Sequence, residues 1–539
     1  MKTMLIAIDA KYIHTNNAIR LLKANTTYPV DLFEYTIKDD LENILRDIHT
    51  YQPDNLAFSC YIWNIELVKK LLYKLQDTTY TIILGGPEVS YESDDYLEKN
   101  LADFLIHNEG EHAFDQLLQA LNQNKPLNHI PNLSYKRDEK IIHNSLQEIQ
   151  DLGSLSSPHY FSEDIPHIPN KIAYIESSRG CPYRCSYCLS SLEKTVRFFP
   201  VEEVQKTILY LMNHGVKTVK FLDRTFNASK HTLAILDFII NHHNNETVFQ
   251  FEITGDVLDP TIIDYLNTHA SKGMFRFEIG IQSTNVETNK LVDRFQNNDK
   301  LFSNIRQIQK GKVIDLHLDL IAGLPKEDLP SFKNTFNEVF LLGAKELQLG
   351  FLKFLKGTKI RKEANMYKYE FADKAPYEIQ RSDVLSEGDL EILTGVEHML
   401  DLFHNKGYFG EHMHQYLCSL KSPFDFFKEA YIKAKDENLF SQGYQLEDVY
   451  KFAFSMIGLE EIIYKLKQDY LLRSKVKPKI FWTKRPDRKL VQFALETIEK
   501  QENHPLHKLY KHTVILENQN EIFVVYYQHL QARSYKLKK

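Results

Sequence analysis

The sequence predicts an α/β chain in three parts: a doubly wound parallel sheet, then an incomplete barrel of six parallel strands, then a mostly helical domain closed by a terminal β-hairpin. Three observations predict it. Apolar strands alternate with amphipathic helices over residues 1 to 122, the alternation resumes at Lys171 after a turn-rich connector, and it fades after about residue 370. A chain of 539 residues is too long for one core. The expected domains are therefore 1–122, a connector with a small hairpin over 123–170, the barrel over 171–370 and the helical domain over 371–539.

In the first part, strands are predicted at Met4–Ile8, Val30–Tyr35, Leu56–Cys60, Thr81–Leu84 and Phe104–His107. Between them lie stretches such as NIELVKKLLYKL, with apolar Ile65, Val68, Leu71, Leu72 and Leu75 on one helical face. Ligands of such sheets bind beyond the carboxyl ends of the strands. The loops there are DAKYIHTNN, SCYIWN, GGPEVSYES and NEGEH. In the connector, a hairpin is expected to turn at Arg137-Asp138-Glu139.

Barrel strands are predicted at Ile172–Glu176, Thr218–Leu222, Val248–Ile253, Phe275–Ile281, Val313–Leu320 and Leu347–Leu352. A helix opens at Pro200 and stops at Gly215. In parallel barrels the chemistry lies at the carboxyl ends of the strands. The last part holds helical LEDVYKFAFSMIGLEEIIYKL and the strand pair HTVILENQNEIFVVYY. Its aromatics Phe424, Phe426, Phe427, Tyr431, Phe440 and Tyr444 read as core.

With 66 basic and 72 acidic residues the formal charge is −6, which disfavours nucleic acid as a partner. The basic stretch RSKVKPKIFWTKRPDRK, 473 to 489, reads as a solvated face. No apolar run nears the ~20 residues needed to cross a bilayer, so no membrane association is expected. Five cysteines, three of them clustered, make no disulfide framework, and a reducing cytoplasm is the default location.

The cluster is CPYRCSYC, residues 181 to 188, just after the first barrel strand. Three thiols on one loop suit a shared metal group. Iron–sulfur clusters usually take four cysteines, so three would leave one iron of a four-iron cluster open to a small molecule. Zinc would need a fourth ligand at matching spacing; Cys60 and Cys418 are distant, and His159 and His167 stand alone.

SSRGCPYRCSYC resembles the signature of radical S-adenosylmethionine (SAM) enzymes. The resemblance implies a 4Fe-4S cluster on Cys181, Cys185 and Cys188, whose open iron chelates SAM. Reductive cleavage would then give methionine and a 5′-deoxyadenosyl radical that abstracts hydrogen from substrate. Tyr187 matches the aromatic near the adenine. KFLDRTFN places Asp223 and Arg224 at a strand end, FEIGIQS offers Glu278, Gln282 and Ser283, and DLIAGLP, with Gly323, resembles the backbone segment that holds the adenine. Asp223 departs from the glycine-glycine-glutamate motif of many members.

No G-x-G-x-x-G follows the first strand, which disfavours a dinucleotide site. The order of loops instead resembles the Rossmann-like cobalamin domain that precedes a TIM-type partial barrel in cobalamin-binding radical SAM proteins, nearest to a DUF4080-like group with an uncharacterised C-terminal domain. It implies cobalamin contacts from His14, from Ser59, Cys60, Tyr61, Trp63 and Asn64, from Gly85, Gly86, Pro87 and Glu88, and from Glu109, Gly110 and Glu111. The cobalt-binding D-x-H-x-x-G motif is absent: four residues separate Asp9 from His14, and Asn17 stands where its glycine would fall. His14 is thus expected to hydrogen-bond rather than ligate cobalt.

The implied activity is radical modification, foremost methylation, of an unreactive carbon in a small-molecule or peptide substrate, with a flavodoxin- or ferredoxin-type electron donor and a monomeric chain. Cobalamin-assisted rearrangement or cyclisation without methyl transfer, and a non-catalytic cobalamin or redox sensor, are the alternatives. Sulfur insertion would need a second cluster, and only Cys60 precedes residue 181.

Overall fold

A computed structural model describes every residue except Lys194, Ser441, Gln442, Thr483 to Arg485, Asn503 and Lys539. Part of the basic 473–489 stretch therefore lies outside the described residues. The chain divides into two compact units: Met1–Phe332 with Gln348–Glu387, and Lys333–Leu347 with Gly388–Lys539. The boundary expected near residue 370 falls inside the first unit, which runs on to Glu387.

The first unit is built around two large sheets. Strands β1 (Thr3–Asp9), β2 (Val30–Thr36), β3 (Asn55–Ser59), β4 (Thr81–Gly85) and β5 (Phe104–Ile106) run parallel in the order β2-β1-β3-β4-β5. Central β1 is buried along its whole length, as a strand covered by helices on both faces must be. Met4, Ile6 and Ile8 enter one core, Leu5 and Ala7 the other. Helix Ile65–Leu75 buries the five apolar residues that its spacing marked. Asp40 caps helix Leu41–Tyr51 by accepting from the Glu42 amide, and Asn16 caps Asn17–Ala24 from the Ile19 amide.

The hairpin of the connector, β6 (Leu133–Arg137) and β7 (Lys140–His143), is not a free-standing link. It extends the first sheet, with β6 antiparallel to β5 and Phe104 opposite Tyr135. The buried Leu133 and Tyr135 supply the apolar face that makes this addition favourable.

The second sheet begins with β8 (Ile172–Ile175). A short ladder follows between β9 (Ser178–Arg179) and β10 (Arg197–Phe198), then come β11 (Thr218–Phe221), β12 (Val248–Ile253), β13 (Phe275–Gln282), β14 (Asp315–Ala322) and β15 (Glu346–Phe351). Its order is β15-β14-β13-β12-β11-β8, an open barrel of six strands. Burial alternates strictly along β12 and β13. The helix-facing side is aromatic, with Phe221 and Phe251 rings stacked at 4.5 Å. The opposite side carries Lys220, Gln250, Glu252, Glu278 and Asp319.

In the second unit, Phe336 packs against Phe424 and Phe427 with ring centroids 5.5 and 5.8 Å apart, and Phe424, Phe426 and Phe427 are buried. The terminal hairpin, Thr513–Glu517 with Glu521–Gln528, gains a third antiparallel strand, Gln531–Lys538. That strand is polar and largely exposed, and its turn places His529 and Leu530 at positive φ without a glycine. Both features hide it from periodicity and turn signals.

Candidate functional site

The cysteine loop follows β8 at the carboxyl end of the barrel, and the residues before it are held tightly. Asp223, at the end of β11, accepts from the Ser177 amide (2.9 Å), the Ser177 hydroxyl (2.5 Å) and the Ser178 hydroxyl (2.6 Å). Its carboxylate is 1% exposed, and burial raises its pKa to about 6. Gly180 has φ +88°, and a Cβ there would meet the Thr195 carbonyl oxygen at 2.2 Å, so no larger residue fits.

Cys185 is buried, which pushes its thiol pKa up, whereas Cys181 and Cys188 are half-buried; all three are free thiols. The Cys188 amide donates to the Cys185 carbonyl at 3.0 Å, closing a turn between the second and third cysteines. The Ser186 amide donates to the Val292 carbonyl and its carbonyl accepts from the Ile360 amide, which pins the loop centre. Arg294 stands over it, with Nη1 3.9 Å from the Cys185 sulfur and 3.4 Å from the Tyr187 hydroxyl, and Nη2 on the Gly280 carbonyl. Sequence reasoning missed Arg294. It lies 109 residues beyond Cys185 in a polar stretch, and only the fold brings its charge to the sulfur.

Among the described residues, no three His, Cys, Asp or Glu side chains are already drawn together as a metal site. The thiols are a donor set on one loop rather than a closed cage. Their chemistry fits an iron–sulfur cluster: three sulfurs on one loop, two of them reachable, and a guanidinium beside the third to balance thiolate charge.

The other predicted barrel residues separate into two groups. Glu278 accepts from Lys220 (3.2 Å) and Gln250 (2.7 Å) on the inner face, and Arg224 is exposed beside Glu252 at 3.4 Å. Gln282 sits at φ +69° where β13 breaks register, and its buried Oε1 has no hydrogen-bond partner, so it suits a polar ligand with a donor to offer. The Gly323 carbonyl accepts from the Tyr369 hydroxyl at 2.8 Å. Two expected contacts instead turn inward. Ser283 is fully buried and donates to Glu327 at 2.6 Å, and Asp223 is consumed by the serines before the loop.

At the carboxyl end of the first sheet, the Tyr61 and Trp63 rings lie parallel, 4.4 Å apart and 5° from coplanar, and Trp63 is 43% exposed. Trp63 Nε1 donates to the Ile8 carbonyl, which fixes the ring. Gly86, at φ +111°, lets its backbone pass where a Cβ would lie 2.6 Å from the Cys60 carbonyl. This exposed aromatic plate beside a closely packed glycine turn fits a planar macrocycle. His14 is engaged elsewhere: its Nδ1 lies 2.6 Å from the Tyr174 hydroxyl, and its backbone bridges Ile172 of β8.

Several expected cobalamin contacts are used internally. Asn64 is buried, donating to the Ile8 and Ser59 carbonyls and accepting from the Tyr61 amide; Ser59 donates to the Ile6 carbonyl. Cys60 is fully buried, and Glu88 accepts from the Tyr377 hydroxyl at 2.6 Å. Glu109 and Glu111 bind arginines of the barrel. Arg179 meets Glu109 at 3.0 Å and Glu111 at 2.6 Å, and Arg197 meets Glu109 at 2.8 Å.

An open parallel barrel bearing a three-thiol loop, joined within one unit to a doubly wound sheet with an aromatic plate, defines a class of two-site cofactor protein. Family comparison agrees. Residues 5–118 match the B12 binding domain, residues 175–339 the radical SAM superfamily, and residues 365–534 the family described as protein of unknown function (DUF4080). In one chain, successive regions thus match the B12 binding domain, the radical SAM superfamily and the DUF4080 family.

Among curated proteins, it is 25% identical over 325 residues to the cobalamin-dependent radical SAM methyltransferase TokK of Streptomyces tokunonensis, covering 55% of this chain and 46% of that one. It is 24% identical over 324 residues to the 2-(S-pantetheinyl)-carbapenam-3-carboxylate methyltransferase of Streptantibioticus cattleyicolor, covering 54% and 46%. The chain thus spans about half the length of the curated relatives it matches. The solved structure of the cobalamin-dependent SAM radical enzyme OxsB with aqua-cobalamin shares the fold, with TM-score 0.62, 14% identity, and coverage of 87% of this chain and 79% of that one.

Proposed function

We propose that this chain is a cobalamin-dependent radical SAM enzyme that methylates an unreactive carbon. The observation that carries the proposal is the juxtaposition, inside one unit, of a three-thiol loop under Arg294 with a sheet whose carboxyl end presents the Tyr61–Trp63 plate. Two methyltransferases among its relatives favour methyl transfer over rearrangement. When bound, a 4Fe-4S cluster with SAM supplies a hydrogen-abstracting radical, and cobalamin supplies a methyl carrier.

The chain's own residues do the rest. Cys181, Cys185 and Cys188 hold iron, and Arg294 offsets the negative charge gathered at Cys185. Tyr187, Arg224, Glu278, Gln282 and Gly323 border the SAM position. Tyr61, Trp63, Gly85, Gly86 and Pro87 would border the corrin, while Tyr174 holds the His14 ring at Nδ1. The inner barrel face, lined by Lys220, Gln250, Glu252 and Glu278, holds the substrate away from bulk water.

No helix among the described residues is long and apolar enough to cross a membrane. A cytoplasmic, monomeric enzyme served by a flavodoxin- or ferredoxin-type donor is part of the proposal. The test is anaerobic incubation of the reduced, cobalamin-loaded protein with methyl-labelled SAM. Deoxyadenosine together with label on cobalt supports methyl transfer, deoxyadenosine without label on cobalt supports rearrangement or cyclisation, and neither product from a fully loaded protein supports a sensor.

A further inference from the structure

The residue just before the Gly180-Cys181 pair carries a buried guanidinium that reaches across to the other sheet. Arg179 is 9% exposed at its side chain and engages three carboxylates: Glu109 through Nη1 (3.0 Å), Glu111 through Nη2 (2.6 Å) and Glu176 through Nη2 (2.9 Å) and Nε (3.2 Å). Glu109 and Glu111 flank Gly110 at the start of helix Glu111–Gln123, directly after β5. Arg197, opposite Arg179 in the β9–β10 ladder, takes the other side of Glu109 and also donates to the Ile149 carbonyl.

Arg179 donates in several directions at once, which the planar fork of arginine allows and the single ammonium of lysine does not. With Asp223 holding Ser177 and Ser178, and Gly180 pressed on Thr195, every residue from Ser177 to Gly180 is fixed before the first cysteine.

We propose that Arg179 is a positioning residue for the metal-binding loop: through Glu109 and Glu111 it registers Cys181 against the carboxyl end of the first sheet, and so fixes the spacing between the two cofactor sites. The inference rests on the reading of Cys181, Cys185 and Cys188 as cluster ligands. An ion pair serving the fold alone would be satisfied by charge. A positioning clamp depends on the fork, and its loss is felt at the iron.

The test uses the full chain, anaerobically reconstituted with iron and sulfide, as wild type, Arg179→Lys, Glu111→Gln and Glu111→Asp. Iron content, thermal midpoint and the electron paramagnetic resonance (EPR) spectrum of the reduced cluster are recorded across a SAM titration. Arg179→Lys is expected to load iron as wild type does, but with altered g-values and a SAM response displaced about tenfold in concentration, the scale of one lost charge-assisted hydrogen bond. Glu111→Gln should shift the spectrum in the same sense, and Glu111→Asp should recover part of it. Should Arg179→Lys fail to fold or to load, the Glu111 pair decides by the same readout. Wild-type spectra and SAM response in the loaded variants would overturn the proposal. Wild-type protein that takes up no cluster would instead overturn the cluster reading beneath it.

Discussion

Two loops at the carboxyl end of the first sheet occupy equivalent places and have opposite fates. The loop after β3 presents Trp63, 43% exposed, stacked on Tyr61. The loop after β5 presents Glu109 and Glu111, and both are closed off by Arg179 and Arg197, whose side chains are 9% and 6% exposed. Position at the end of a parallel strand offers a residue to a ligand, but a charged residue is also an offer to any buried countercharge that the fold brings near. The aromatic loop had no such partner and stayed open. One loop therefore stays open at the strand ends, and the other joins the two sheets.

The largest effect expected on this picture lies outside both loops. Replacing Cys181, Cys185 or Cys188 singly by alanine should abolish nearly all iron retained after anaerobic reconstitution and desalting; retention at the wild-type level by any of the three would remove that cysteine from the ligand set. Next is Glu109→Ala. It strips a carboxylate shared by two buried guanidiniums and should cost about 3–5 kcal/mol of stability by denaturant unfolding, the usual result of breaking a buried pair from one side. Cobalamin affinity of the folded fraction should not change. A loss of affinity without a loss of stability would reverse the contrast between the loops.

Trp63→Ala should behave the other way. Its stability should stay within about 1 kcal/mol of wild type, because half the ring already faces water, while hydroxocobalamin binds about tenfold more weakly. Titration followed by absorbance reads the second effect. The smallest effect concerns pH. His159, bound to the Tyr174 carbonyl at 2.7 Å, is held neutral by burial, which lowers its pKa from 6.5 to about 4. The unfolded chain therefore takes up a proton that the folded chain refuses between pH 6.5 and pH 4. Stability contributed by the neutral ring is lost as pH falls through that window. His159→Gln should flatten the slope of thermal midpoint against pH there, and an unchanged slope would acquit this residue.

What could be read from the sequence follows from the range of the interaction that decides it. Period-2 and period-3.6 patterns are local, so both sheets and helices such as Ile65–Leu75 were visible within one or two residues of their ends. The three thiols were visible because their donor chemistry is packed into eight residues. The attachment of the hairpin to β5 was not visible, because strand pairing across 31 residues leaves no local mark, as with Phe104 and Tyr135. The strand Gln531–Lys538 was hidden by its polarity. Among site residues, Arg294, Asp223 and Glu109 teach the same point. Whether a charged side chain meets a ligand or a neighbour depends on contacts 109, 46 and 70 residues away, to Cys185, Ser177 and Arg179.

The claim beneath all of this is that three sulfurs of one loop hold iron with a coordination site left for SAM. EPR spectroscopy of the reduced, reconstituted protein before and after adding SAM addresses it most directly. The account predicts about four irons and as many sulfides per chain, with g-values that move when SAM is added. A full complement of iron and sulfide whose spectrum ignores SAM would contradict it.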